Sequence, residues 1–180
     1  MFLERVEVFT DEMRDIGERT KDQLERLMLT GIAQAPLAVC HGDFRGDNLM
    51  FDDRTSPDDE VAVLDWQISY QGPAIGDVAY FLCQSLTIEE RRAHERDLVR
   101  GWYDELVATA RREVGRELDD YPFEVAWDQY RETALTTTVY PVTGMGAMDP
   151  ANERGRQLVE AMANRAFTAC LDLGSVDFLE

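Results

Sequence analysis

Residues 37–51 read LAVCHGDFRGDNLMF, and the rest of the chain takes its meaning from this stretch. Leu37 to Cys40 form a short apolar run. The eight residues that follow hold two glycines and three charges, which no continuous helix would accommodate. Leu49 to Phe51 are apolar again. The expected structure is therefore a short strand, a polar loop and a second short strand. Beyond it, DDRTSPDDE at 52–60 is dense in turn formers, and VAVLDW at 61–66 is a β-branched run, so the two apolar pieces are expected to form a hairpin with a solvated tip. Asp52, Asp53, Asp58 and Asp59 lack the ordered ligand spacing and closing glutamate of a calcium loop and are read as part of that tip.

Outside the centre the pattern is helical. Phe2, Val6, Phe9, Met13, Ile16, Leu24, Leu27 and Met28 recur at three- and four-residue steps, as in one broken helix or two short ones. After Gly72, Pro73 and Gly76 the chain turns helical to its end, starting at Asp77, which can cap DVAYFL. Leu98, Trp102 and Leu106 mark a second helix, Phe123, Trp127 and Tyr130 to Leu135 a third, and Leu158 to Leu171 a fourth. PVTGMGAMDP separates the last two, and its Gly144 and Gly146 are read as a helix-to-helix turn. Trp102, Tyr103, Trp127 and Tyr130 could cage a cation, but their helical spacing favours core packing.

The chain has 180 residues, enough for one domain with a single core. Thirty-six acidic and eighteen basic residues give a formal charge of -18, which argues against nucleic acid as a partner. No apolar run approaches the roughly 20 residues needed to span a bilayer. Cys40, Cys83 and Cys170 are odd in number and far apart, which indicates neither a disulfide framework nor a zinc cluster. A soluble cytoplasmic protein without a membrane partner is the expectation.

Asp43 and Asn48 stand five residues apart on the polar loop, and Asp65 follows at the end of the next strand. Three oxygen donors in that order match the phosphoryl-transfer template, in which a loop aspartate orients the acceptor hydroxyl and an asparagine and a later aspartate hold magnesium. With GPAIGDVAYFL at 72–82, the pattern resembles the C-terminal lobe of the aminoglycoside phosphotransferase and choline kinase-like superfamily, closest to its ecdysteroid-kinase-like (CHK kinase-like) branch. The resemblance implies an α+β, mostly helical, protein-kinase-like C-terminal lobe over residues 1–180, with a small β-hairpin element carrying the catalytic loop 41–48, a metal-binding segment 65–77 and a helical remainder 77–180. It implies Asp43 as catalytic base, Asn48 and Asp65 as magnesium ligands, and His41 and Asp77 as residues that brace the loop. ATP would be the co-substrate and a small-molecule hydroxyl the acceptor. Arg45 and Asp47 fall at variable positions and inherit no role.

Two departures qualify the resemblance. Trp66 and Gln67 follow Asp65, and the short run to Asp77 has no A-P-E segment, so it leaves no room for a phosphorylatable activation loop. This favours a small-molecule kinase over a switchable protein kinase. Upstream of His41 there is no Gly-rich loop followed by a strand lysine, so the nucleotide-clamping N-terminal lobe is expected to be absent and no residue is assigned to the nucleotide. The alternative is a truncated or non-catalytic binding module. An uncovered C-terminal lobe is expected to self-associate or to meet its missing lobe on a partner.

Overall fold

The computed structural model describes residues 9–51, 61–147 and 152–179. Phe2, Val6 and the acidic run at 52–60 lie outside them. Helix α1 (Asp11–Asp22) starts where the Thr10 side chain accepts a hydrogen bond from the backbone N–H of Met13, with Asp11 and Glu12 in the favourable first turn. It buries Met13 and Ile16 and ends at Gln23, after which α2 (Leu24–Ala33) buries Leu27. From Met13 to Met28 the early periodicity is thus two helices.

Four short strands follow. β1 (Leu37–Cys40) pairs antiparallel with β4 (Tyr70–Pro73), and β2 (Leu49–Phe51) pairs antiparallel with β3 (Val61–Val63). The hairpin is therefore β2–β3, as its β-branched and apolar runs foretold. It does not carry the polar loop, however. That loop joins two separate two-stranded sheets, because β1 finds its partner some thirty residues downstream. β4 went unseen since Gly72 and Pro73 read as punctuation. In a two-stranded sheet every strand is an edge, where proline is tolerated.

The remainder is helical. α3 (Gly76–Gln84) supplies Ala79, Leu82 and Cys83 to the core, where Tyr130, Ala134 and Leu135 of α5 (Phe123–Thr137) and Ala163, Phe167 and Cys170 of α7 (Glu153–Asp172) meet them. α4 (Ile88–Thr109) opens with a reciprocal capping box between Thr87 and Glu90. Its buried line runs through Val99, while Leu98 of the expected stripe is exposed. α6 (Val139–Ala147) corrects the expected turn: the chain stays helical through Pro141 and Gly144. Pro141 sits in the first turn, where a missing N–H costs no helical hydrogen bond.

One charged cluster ties three helices together. The fully buried Arg91 pairs with Glu95 at 2.7 Å and with Asp172, which also receives Arg92, and the Tyr130 hydroxyl donates to Glu95 at 3.1 Å. Trp102, Tyr103 and Trp127 pack against the main core, and Arg96 and Arg100 lie 4.7 Å and 3.3 Å from the ring centroids of Trp127 and Phe123. All three cysteines are buried and free. Among the described residues no helix is long and apolar enough to cross a membrane.

Candidate functional site

The loop between β1 and β2 is held from below by α3. Asp77 lies one residue inside that helix, whose N-cap is Ile75, so it is not the cap expected of it. Its carboxylate accepts instead from the backbone N–H groups of His41 at 2.6 Å and Gly42 at 3.0 Å. Charge-assisted bonds to two amides in the loop fix its entry relative to the helix. Gly42 is required here: its φ of +86° is left-handed, and an added Cβ would lie 2.8 Å from the carbonyl oxygen of Ile68.

His41 is almost fully buried, and both of its ring nitrogens are in use. Nε2 lies 2.7 Å from the Leu64 carbonyl, which can only accept, so Nε2 carries the proton, and Nδ1 accepts from the Asp43 backbone N–H at 3.2 Å. The imidazole therefore joins the loop to the segment after β3 and leaves no nitrogen for proton transfer. Phe44 and Trp66 close over it with ring centroids 6.0 Å and 4.8 Å away.

The Asp43 carboxylate is partly exposed and held on three sides. Asn48 Nδ2 donates to its backbone carbonyl at 2.8 Å and to Oδ2 at 3.0 Å, the Tyr80 hydroxyl donates to Oδ1 at 3.0 Å, and Arg45 Nε stands 3.3 Å from Oδ1. Burial, reinforced by the Asp43 charge, pushes the Tyr80 phenol far above its ordinary range, so it stays a donor across the physiological pH scale. A carboxylate held this way keeps one orientation, as general-base chemistry or hydroxyl positioning requires.

Asp65 stands apart from this group. It is exposed, at φ +66°, a strained left-handed conformation for a non-glycine residue. Among the described residues its carboxylate takes no hydrogen bond. Its neighbour Leu64 connects it to the rest, donating its N–H to the Asn48 carbonyl at 2.9 Å and accepting from His41. With Nδ2 engaged by Asp43, the Asn48 amide has its oxygen left as an acceptor. Two hard oxygen donors of this kind fit magnesium, which takes few protein ligands and completes its shell with water and phosphate. Among the described residues no cluster of three His, Cys, Asp or Glu side chains forms a closed metal cage.

A cleft of about 240 Å³ opens on the other side of Tyr80. Leu27, Ile32, Tyr70, Tyr80, Thr136 and Tyr140 are among its walls, and the Tyr80 and Tyr140 rings meet with centroids 4.5 Å apart. Gln34 also lines it, donating to Glu132 at 2.6 Å, while its own carbonyl oxygen is buried without a partner.

With this geometry in place, comparison with known proteins is informative. Residues 1–114 match the ecdysteroid kinase-like family. The chain belongs to that family. This ecdysteroid kinase-like chain is 28% identical to the mouse protein named acyl-CoA dehydrogenase family member 10, over 91% of the chain and 16% of that protein. It is 31% identical to an uncharacterized kinase-like protein of Caenorhabditis elegans, over 38% of the chain and 18% of that protein. The chain thus spans less than a fifth of the length of either relative. No solved structure matches it.

Two residues of the family member's site were missed in the sequence. Tyr80 was read only as part of a helix. Its signal was its place three residues after Asp77, which puts both side chains on one face of α3. Arg45 was passed over because it stands at a variable position, and only the fold reveals that it touches Asp43.

Proposed function

We propose that this chain is the catalytic half of a phosphotransferase that moves the γ-phosphoryl group of ATP to a hydroxyl of a small molecule. The observation that carries the reading is the Asp43 carboxylate of the polar loop, held by Asn48 and by Tyr80, which also lines the cleft. Asp43 would accept the hydroxyl proton as the new O–P bond forms and the bond to ADP breaks, and it would return that proton to solvent. Asn48 and Asp65 would hold magnesium, which when bound offsets the phosphate charge. His41 and Asp77 would keep the loop in register. The protein-kinase-like C-terminal lobe and a cytoplasmic setting belong to the same reading.

The cleft beside Tyr80 suits an acceptor with an apolar body and hydroxyl groups. Its walls are largely apolar and aromatic, and the unpartnered Gln34 carbonyl oxygen would take a hydroxyl donor. A nucleotide-clamping lobe, on this polypeptide or another, would cover the sheets. Their residues Val39, Met50 and Phe51, and Ile68 in the turn before β4, are each more than half exposed. The second reading, a binding module that needs such a lobe before it can act, rests on those same exposed side chains.

The deciding experiment is magnesium-dependent ATP binding to the chain by calorimetry, with Asp65→Ala as control. Binding that is lost in the variant supports the reading. A folded wild-type chain that binds no nucleotide supports the module that acts only with another lobe. Light scattering tests the uncovered face, and a monodisperse monomer at high concentration would count against self-association.

A further inference from the structure

A second pocket, of about 180 Å³, lies on the side of the catalytic loop reached by Arg45, where the turn Gly46–Asn48, the C-terminal end of α3 and the middle of α7 converge. Arg45, Gly46, Ser85, Met162 and Arg165 are among its lining residues. Acidic residues outnumber basic ones two to one in this chain. Among the described residues, even so, no carboxylate stands within 4.0 Å of the Arg165 guanidinium. That guanidinium is fixed by a hydrogen bond from one nitrogen to the Gln84 carbonyl at 3.0 Å, with the Ser85 carbonyl at 3.5 Å. Its other N–H groups have no partner among the described residues, and Glu90, the carboxylate whose charge reaches it, is engaged in the Thr87 capping box.

Arg45 adds a second unmet demand. Its Nε is buried and makes no hydrogen bond, although it stands 3.3 Å from Asp43, and its Nη1 stands 3.6 Å from Asp47. A buried guanidinium N–H without an acceptor is uncommon and calls for one. Ser85 contributes a third donor: its oxygen accepts from the Gly46 N–H at 3.0 Å, and its own O–H makes no hydrogen bond among the described residues. The acidic Asp47 also lines the pocket, and Arg45 offsets its charge.

We propose that this pocket is an oxyanion subsite, taking a phosphate or carboxylate group through Arg165, Arg45 and the Ser85 hydroxyl. Planar guanidinium groups recognise such groups with paired hydrogen bonds. The subsite is separate from the cleft beside Tyr80, with which it shares no lining residue. An anion held there draws Arg45 from Asp43, so occupancy changes the charge around the catalytic carboxylate.

The test is titration of the wild-type chain with inorganic phosphate, followed by ³¹P NMR and calorimetry, without nucleotide or magnesium. Saturable binding is expected. It should weaken about tenfold or more in Arg165→Gln and less in Arg165→Lys, since one charge-assisted pair is worth about that much. Arg45→Gln provides a second variant should Arg165→Gln fail to fold, as judged by circular dichroism. Competition by acetate distinguishes the source: displacement at similar concentrations assigns the site to carboxylates, and resistance to displacement assigns it to phosphoryl groups. No saturable binding by folded wild type, or binding unchanged in both glutamine variants, overturns the proposal. Neither outcome bears on ATP binding, which is measured separately.

Discussion

Replacing Asp77 by alanine removes both acceptors that hold the entry to the loop between β1 and β2. The two bonds, at 2.6 Å and 3.0 Å, run from the amides of His41 and Gly42, both buried. A hydrogen bond to a charged group contributes about 1.5–3 kcal/mol, and a buried donor left unpaired incurs a similar cost. The variant is therefore expected to lose about 4 kcal/mol, counting the two bonds with some relief from water entering the gap. For a chain of this size each kcal/mol shifts the melting temperature by about 2–4 °C, giving a fall of about 8–16 °C. Stability of about 5–15 kcal/mol is typical, so the variant should still fold. Asp77→Asn keeps one carbonyl acceptor but turns the other position into a donor facing an N–H, and it is expected to lose about half as much. Urea denaturation of the three proteins reads this directly. If Asp77→Ala lies within about 0.5 kcal/mol of wild type, the carboxylate is not bracing the loop and the reasoning fails.

Other expectations are independent of catalysis. Gly42→Ala should cost about 2–3 kcal/mol in urea unfolding, from the left-handed φ and the close Ile68 carbonyl, whereas Gly31→Ala, with nothing near its new Cβ, should be neutral or slightly stabilising. Burial works against the ionised Asp172, but hydrogen bonds from Arg92 and Arg91 outweigh it and hold its carboxyl below the usual range. A depressed folded-state value means stability that is present above the unfolded-state value of about 4 and is lost as pH falls through the folded one. The melting temperature of Asp172→Asn should therefore drop less steeply than that of wild type in acid, and parallel curves would refute this. Burial raises the Cys40 thiol to about 11 and the Cys83 thiol to about 12, so neither should react with a thiol reagent at pH 8 until the chain is unfolded.

The sequence made much of this legible where residue chemistry is local. Glycines and charges at 41–48 could form only a loop, and the alternation of apolar runs with turn formers set out β1, β2 and β3. What escaped depended on contacts distant in sequence. β4 is recognisable only through its pairing with β1, because taken alone Gly72 and Pro73 look like a turn. Helix α6 tolerates the residues that seemed to break it, since Pro141 lies in the first turn and Gly144 faces Val159 of α7. In the candidate site, the spacing of Asp43, Asn48 and Asp65 was visible in the sequence, but the partners of Asp43 were not. Tyr80 reaches it from another element, and Arg45 depends on the fold of the loop to meet it.

Of the four aromatic residues considered for a cationic cage, Tyr103 and Trp127 already face cations of their own. Arg96 lies over Trp127 and Phe123, and Arg100 over Phe123 and Tyr103. A tethered guanidinium acts at an effective concentration on the order of millimolar, without the entropy cost of capturing a free molecule. A free amine competing for those rings at micromolar levels loses by mass action. That stretch of α5 is self-liganded, which directs any search for a bound amine to other faces of the protein.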